Sequence, residues 1–525
     1  MLESLLKKVK QGIGTALDLG DRESCLQSTR NQYLDRGREY ARFTLPYILP
    51  DNDDKNRGAD ANQHGFQGIG AQAVNHLANK LTTTLFPIQR SFFKLEFDDV
   101  AKQTLINSGY DPTELSTLLI KAEKRAETHQ TKAAARVAYV DAFKSLLIAG
   151  NVLMYLPKNG NLQAIKLDRY FTRRDTSGRL VELLIKDKKA FSAMSKSVQD
   201  QLKRLKGPGV CKKDDDVTLY TWVYRIDEDT FGVTQSALGV QIKEWQEIPA
   251  EDIPWIPLMF NHTNGEDYGR GLVEDHAGDF FVIEYLSEAV AKGMVLMADI
   301  KYFLRPGSII DLDEVATSPI GEWLRGNIED IGILQLAKYA DFKPISEVLT
   351  KYERRIGQAF LMNSAVRRDA ERVTTVELRI DAQELETSLG GVYTLLAQTM
   401  QSPLAKIYLK QIGFPFPDQV IPEIVTGLAA LGKVGDLDKI KQFTEMMQLP
   451  QTWPLPVQER TKWDVYAKEV AAGLSMEMPW MMTDEEYQDK QQAQAQAQQA
   501  QTMTDAMAGA AEKAGPEMLQ QAMQQ

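Results

Sequence analysis

The feature that most constrains this chain is a helical period that stops, gives way to a proline- and glycine-rich stretch, and then resumes. Ile283, Leu286, Val290, Met294, Met297, Ile300 and Leu304 follow one another at three or four residues, the spacing of one face of a helix. A helix of about 28 residues would be roughly 42 Å long at about 1.5 Å per residue. From about 305 to 337 come Pro306, Gly307, Pro319, Gly321, Gly326 and Gly332, which no single helix accommodates. A second helix is predicted from near Asp341 to Met362. The chain goes out along one helix, makes a compact excursion or long hairpin, and comes back along another.

The flanking regions differ in period. Gly68 to Leu85, with Ala71, Val74, Leu77, Ala78, Leu81 and Leu85, reads as a buried helix that stops at Phe86-Pro87. A polar helix is expected from about 23 to 50, and helix again from Asp111 to Ile148. Val152 to Leu156 is a predicted strand, and residues 160 to 260 are the main β region, with alternating pieces such as Val217 to Tyr224. Thr374 to Ile412 is a long helical tract bent at Gly390-Gly391 and Pro403. Past Pro422 short helices are expected, and Lys490 to Gln501 is a low-complexity Gln/Ala run. The fold class is therefore α+β, predominantly helical. No repeat of fixed period argues for a solenoid or propeller.

Composition narrows the chemistry. Sixty-one basic and 72 acidic residues give a net charge of −11, a field that repels phosphate backbones at long range. Cys25 and Cys211 are too few for a disulfide framework, and the five histidines (His64, His76, His129, His262, His276) lack HxH or HxxxH spacing. Leu2, Leu5, Leu6, Val9, Ile13 and Leu17 form an N-terminal helical stripe, broken by Glu3, Lys7, Lys8 and Lys10 and so unlike a signal peptide. That stripe is expected to dock on a neighbouring subunit rather than on a membrane. No apolar run reaches membrane-spanning length.

Catalytic motifs come close without closing. Gly427 to Lys433 has phosphate-loop spacing, but Val434 replaces the Ser or Thr hydroxyl, helix formers fill the interval, and no strong strand is expected before it. Gly68-x-Gly70-x-x-Ala73 imitates a dinucleotide fingerprint after a polar rather than strand-like stretch, which favours helix packing. The acidic clusters 51–54 and 214–216 lack the ligand period of a calcium loop and read as solvated loops. No enzyme, cofactor or metal is expected.

One segment departs from the average charge. Lys338 to Arg379 holds nine basic against six acidic residues, and its polar break at 363–373 carries Arg367, Arg368 and Arg372. Guanidinium groups in a loop suit phosphate contact, while Asp369 and Glu371 could equally pair with them.

Phe360-Leu-Met-Asn-Ser-Ala-Val-Arg-Arg-Asp-Ala-Glu-Arg-Val-Thr374, followed by Glu384-Leu-Glu-Thr-Ser-Leu-Gly-Gly-Val-Tyr393, resembles the corresponding stretch of portal, or head-to-tail connector, proteins of short-tailed double-stranded DNA bacteriophages of the autographivirus type (podophages). Leu77 to Pro87, Ala149 to Pro157 and Tyr268-Gly-Arg270 resemble the same family in the same order, so the likeness covers about 25 to 445. It implies a portal fold with a mixed α/β wing (1–275), stem helix 1 (276–304), a clip (305–337), stem helix 2 (338–363), a channel loop (364–373), a kinked wing helix (374–418), a C-terminal helical crown (419–490) and a Gln/Ala-rich tail (491–525). It implies a dodecameric ring at the head-tail vertex of the virion, assembled in the host cytoplasm. Its partners would be double-stranded DNA in transit, the terminase large subunit, major capsid and scaffolding proteins, the tail adaptor and internal core proteins. The capsid is the other expected dock for the N-terminal stripe. On that reading Arg367, Arg368 and Arg372, then Lys343, Lys351 and Arg354, are the DNA-channel contacts. Few cations in an acidic conduit would position a duplex without gripping it. The competing readings are another ring-forming tail or adaptor component, and a nucleotide hydrolase using 427–433.

Overall fold

A computed structural model describes residues 2–50, 65–87, 91–298 apart from 133, 159, 208–211 and 213–214, 301–362 apart from 309, 312, 314–316, 320–328, 330 and 335–338, 375–414, 423–426, 443–448 and 458–473 apart from 459 and 461. The chain divides into two units, Met1–Gly432 and Lys433–Gln525.

In the first unit, α1 (Leu2–Val9), α2 (Gly20–Phe43) and α3 (Ile69–Leu85) precede a short strand β1 (Phe93–Glu96), after which come α4 (Asp99–Asn107), α5 (Pro112–Lys132) and α6 (Ala135–Ala149). The predicted period of α3 is the one that is buried: Val74, Leu77, Ala78, Leu81 and Leu85 have no exposed surface. A Cβ at Gly70 would overlap the Phe43 carbonyl of α2, whose oxygen also accepts from Gln67 Nε2 at 2.6 Å. The Gly-x-Gly-x-x-Ala pattern is therefore a helix-packing device. The continuous helix expected over 111–148 is two helices, parted at Ala134, which sits at φ +47°.

The β region is as expected in extent and has two sheets. One takes the order β3 (Gln163–Ile165), β2 (Asn151–Tyr155), β9 (Trp255–Met259). The other is an antiparallel meander of β4 (Tyr170–Arg174), β5 (Leu180–Ala190), β6 (Asp216–Arg225), β7 (Thr230–Ala237) and β8 (Val240–Pro249), with α7 (Lys196–Lys206) between β5 and β6. Under the meander Glu182 is fully buried. It accepts from Arg22 Nε at 2.8 Å and Trp222 Nε1 at 2.8 Å, and Arg22 Nη2 lies 2.5 Å from its second oxygen. Buried charge is tolerated here because both carboxylate oxygens have donors and the opposite charge is Arg22 itself.

The N-terminal stripe is corrected. Helix α1 ends at Val9, and Gly12 and Gly14, at φ +99° and +91°, turn the chain into an extended segment on the β8 edge. Gly14 N donates to Gln241 O, Gln241 N to Thr15 O and Leu17 N to Gly239 O, each at 3.0 Å. Leu5, Val9 and Leu17 pack with Phe171, Leu184 and Trp222, while Ile13 is exposed. The stripe therefore docks on its own sheet, where it also covers a strand edge.

Next come α8 (Leu272–Asp275) and α9 (Ala277–Ala298). The first long helix stops there and does not reach Leu304: Lys301–Leu304 is strand β10, paired antiparallel with β11 (Ile331–Leu334) from Lys301↔Leu334 to Leu304↔Ile331. Tyr302 and Phe303, aromatic strand formers, favour that pairing over the helical spacing of Ile300 and Leu304. The return helix α10 spans Tyr339–Ala359. The tract after it is kinked as expected: α11 (Thr375–Ser388), a break at Gly390 and Gly391 with φ +60° and +89°, α12 (Val392–Leu396), a π-helical turn Ala397–Gln401, and α13 (Ser402–Ile412) with Pro403 in its first turn.

Strand β12 (Glu423–Thr426) pairs antiparallel with β1 and corrects the expectation that no strand stands before Gly427. Residues 427–442 lie outside the described residues, as do acidic loop 51–54, the Gln/Ala run and most of the expected short helices. In the second unit α14 (Trp463–Gly473) places Ala467 against Phe443, and Tyr466 Oη donates to Met446 O at 3.2 Å.

Candidate functional site

The two helices that flank the excursion pack along their apolar faces. Phe280 and Ile283 of α9 meet Ile356 and Phe360 at the end of α10, all fully buried, with the Phe280 and Phe360 rings edge to face at 5.7 Å. Asp279 in the first turn of α9 pairs with Arg355 at 3.1 Å, and the Arg355 guanidinium lies 5.2 Å over the Tyr352 ring. Arg355 is thus spent on helix pairing.

The face of α9 turned away from α10 is apolar and open. Phe281, Tyr285 and Val295 are 56%, 64% and 70% exposed, and the first two rings stack at 6.2 Å. Residues 281, 285, 288, 292 and 295 share one stripe by spacing. Its only polar members, Glu288 and Lys292, pair with each other at 2.6 Å.

The candidate channel residues fall into two groups. On α10, Lys351 and Arg354 are exposed, and neither forms an ion pair among the described residues. Helical spacing puts positions 343, 347, 351 and 354 on the side opposite Leu349, Tyr352 and Ile356, so Lys343 belongs to the same backbone stripe. Arg367, Arg368 and Arg372 lie outside the described residues.

Both roots of the arginine segment are held by one helix. Leu361 closes α10 at φ +56°, and its carbonyl accepts from His76 Nε2 at 3.2 Å. On the far side Lys80, one turn along α3 from His76, reaches Glu384 of α11 at 2.6 Å and Asp381 at 3.9 Å. The sequence analysis did not single out His76 or Lys80. The helix carries other polar residues at the same spacing, such as Gln72, Asn75 and Asn79, so nothing in the sequence set His76 and Lys80 apart.

Two of the quoted motifs, far apart in sequence, meet beneath the start of α9. Asn151 Nδ2 donates to Ala149 O at 2.8 Å and Gly269 O at 2.7 Å, and Gly269 N donates to Asn151 Oδ1 at 2.8 Å. Gly150, at φ +73°, lies so close to the Arg270 backbone that a Cβ would overlap it. Tyr268 Oη accepts from Thr172 N at 2.9 Å, and burial pushes its ionisation up to about 12. Arg270 hydrogen-bonds Glu266 at 2.8 Å, which holds that carboxyl below its usual range. This joint sets the course of the chain into α8 and α9.

Among the described residues no group of three His, Cys, Asp or Glu side chains could hold a metal ion. No described helix is long and apolar enough to cross a membrane.

Comparison with known proteins extends the geometry. A family described as "Bacteriophage head to tail connecting protein" matches residues 18–482. The portal protein of Enterobacteria phage SP6 is 43% identical over 498 residues, 94% of this chain and 95% of that one. The portal protein of Escherichia phage T7 is 33% identical over 79% of each chain, and that of Pseudomonas phage phiKMV is 30% identical over 83% of this chain and 88% of its own. The neck of a native gene transfer agent particle aligns loosely, with TM-score 0.32 and 11% identity over 73% of this chain and 96% of that chain. With residues 18–482 matched by that family and 43% identity to the SP6 portal protein over 94% of its length, this chain belongs to the family of bacteriophage head-to-tail connecting proteins.

Proposed function

We propose that this chain assembles into a dodecameric ring at the head-tail vertex of a phage particle and conducts double-stranded DNA during packaging and ejection. The observation that carries the reading is the out-and-back helix pair with an open apolar stripe. In a portal, α9 and α10 are the stem, β10 and β11 belong to the clip, and neighbouring copies cover Phe281, Tyr285 and Val295. The wing is 1–275 with the kinked helix 374–418, the channel loop is 364–373, and the crown and tail are 419–490 and 491–525.

The chain's own part is mechanical. A separate terminase ATPase supplies the work, and the large terminase subunit and the tail adaptor dock at the clip. Capsid and scaffolding proteins contact the wing, and internal core proteins meet the crown. Arg367, Arg368 and Arg372, with Lys343, Lys351 and Arg354 as weaker contributors, touch the duplex at a constriction. Phosphate contacts brake sliding in proportion to their number, so a few cations in a chain of net charge −11 position DNA without holding it. The rival hydrolase reading lacks a hydroxyl at Val434.

The test is Arg367→Ala/Arg368→Ala/Arg372→Ala in phage production. Rings should form normally while DNA-filled heads become scarce. Normal filling would remove the loop arginines from the account.

A further inference from the structure

A second cationic feature lies away from the stem. Lys121, Lys124, Arg125, Thr128 and His129 occupy one face of α5 at the spacing i, i+3, i+4, i+7, i+8, and with Ile412 at the end of α13 they line a cleft of about 490 Å³. That volume is in the range of small-molecule sites. Lys121, Lys124 and Arg125 are exposed, and among the described residues none of them forms an ion pair. The nearby carboxylate of Glu123 is engaged elsewhere, by Lys94 Nζ at 2.8 Å and Leu95 N at 2.9 Å. Like charges at these helical spacings repel one another, so the cluster is electrostatically incomplete as it stands.

The cleft is also organised. Arg125 is laid over the Phe414 ring at 5.2 Å, which fixes its guanidinium at the rim. His129 packs edge-on against Tyr408 at 5.8 Å, and its Nδ1 is buried without a hydrogen-bond partner among the described residues. A buried polar atom left unpaired beside three uncompensated cations calls for a polar ligand atom. Thr128 Oγ1 already donates to Lys124 O at 2.9 Å, so the ligand-facing donors are the two ammonium groups, the guanidinium and the imidazole.

We propose that this cleft binds a phosphate-bearing ligand, with Lys121, Lys124 and Arg125 contacting phosphate oxygens and His129 Nδ1–H donating from the floor. Several charged donors converging on one volume suit a multiply charged tetrahedral anion, and a planar fork beside two point charges can meet more than one of its oxygens. The site needs no ring and no channel, so it stands or falls apart from the conduit reading. A free phosphate and a nucleic-acid backbone share this chemistry, and the ligands below distinguish them.

The test uses the full chain and titration calorimetry at physiological ionic strength with pyrophosphate, a nucleoside triphosphate, a short DNA duplex and a glutamate-rich peptide. Phosphate ligands should bind, and Lys124→Gln/Arg125→Gln should weaken them by about tenfold or more, whereas exchange of two exposed cations of α7, Lys196→Gln/Arg204→Gln, leaves them unchanged. Binding of pyrophosphate and nucleotide would assign free phosphate; binding of the duplex alone, still lost in Lys124→Gln/Arg125→Gln, would assign the backbone. Both exchanged side chains are exposed, so the variant should keep the parent's circular dichroism. Lys121→Gln provides a second, milder variant. Failure of every phosphate ligand to bind, binding indifferent to Lys124→Gln/Arg125→Gln, or equal binding of the peptide would overturn the proposal.

Discussion

The meander sheet and the helix pair α9–α10 treat exposed and charged groups in opposite ways. Under the sheet, Glu182 is saturated by Arg22 and Trp222, the open β8 edge is capped by residues 14–17, and Leu5, Val9 and Leu17 are sealed against Trp222. On the helix pair, Phe281, Tyr285 and Val295 face outward, and Lys351 and Arg354 form no ion pair among the described residues. The first region is finished within one chain. The second leaves apolar and cationic surface open, and on the proposed reading that difference marks where neighbouring copies and DNA make contact.

The comparison can be broken by substitution. Glu182→Ala strands a buried guanidinium and an indole N–H, and should cost about 3–5 kcal/mol, read as a lowered urea midpoint. A change near zero would mean the sheet is less sealed than it looks. The motif joint supplies a pH test of the same sealing. Tyr268 ionises near 12 in the fold against 10.0 when free. Its folded value is raised, so its contribution is fully present below about pH 10 and is lost as pH climbs towards 12, a loss of about 2–3 kcal/mol. Tyr268→Phe should flatten stability across that window; an unchanged profile would contradict the burial.

On the open side, Phe281→Ser/Tyr285→Ser/Val295→Ser should leave the lone chain's stability within about 0.5 kcal/mol, since exposed positions tolerate exchange. Association should suffer instead, by about 1.5–3 kcal/mol for each apolar side chain that a neighbour would have buried. Sedimentation velocity separates the two effects. A small change, about 1 kcal/mol in thermal melts, is expected of Arg355→Ala, whose own side chain is half exposed although Asp279 is largely buried.

What the sequence made legible follows from the range of the interactions involved. Helix α3 was readable because Val74, Leu77, Ala78, Leu81 and Leu85, all fully buried, repeat at helical spacing, and the meander because alternation and turns are local. The end of α9 was misread because Ile300 and Leu304 keep the helical spacing, while the strand partner of Lys301–Leu304 lies at 331–334 and sends no local signal. Strand β12 was missed for the same reason, its partner β1 being distant in sequence. The N-terminal stripe was overextended although Gly12 and Gly14 stood in it as visible breaks. At the candidate site, Lys343, Lys351 and Arg354 were named from charge and the family resemblance, and the helix face they share required the packed side of α10 to be known. His76 and Lys80 anchor the arginine segment through contacts that depend wholly on tertiary structure.

The central claim is that the open helix pair is completed by further copies of this chain around a channel. Electron microscopy of the purified full-length chain tests it most directly. The account predicts twelve-fold rings with an axial opening wide enough for duplex DNA. A stable monomer, or a closed assembly without an axial opening, under conditions that permit association would contradict it.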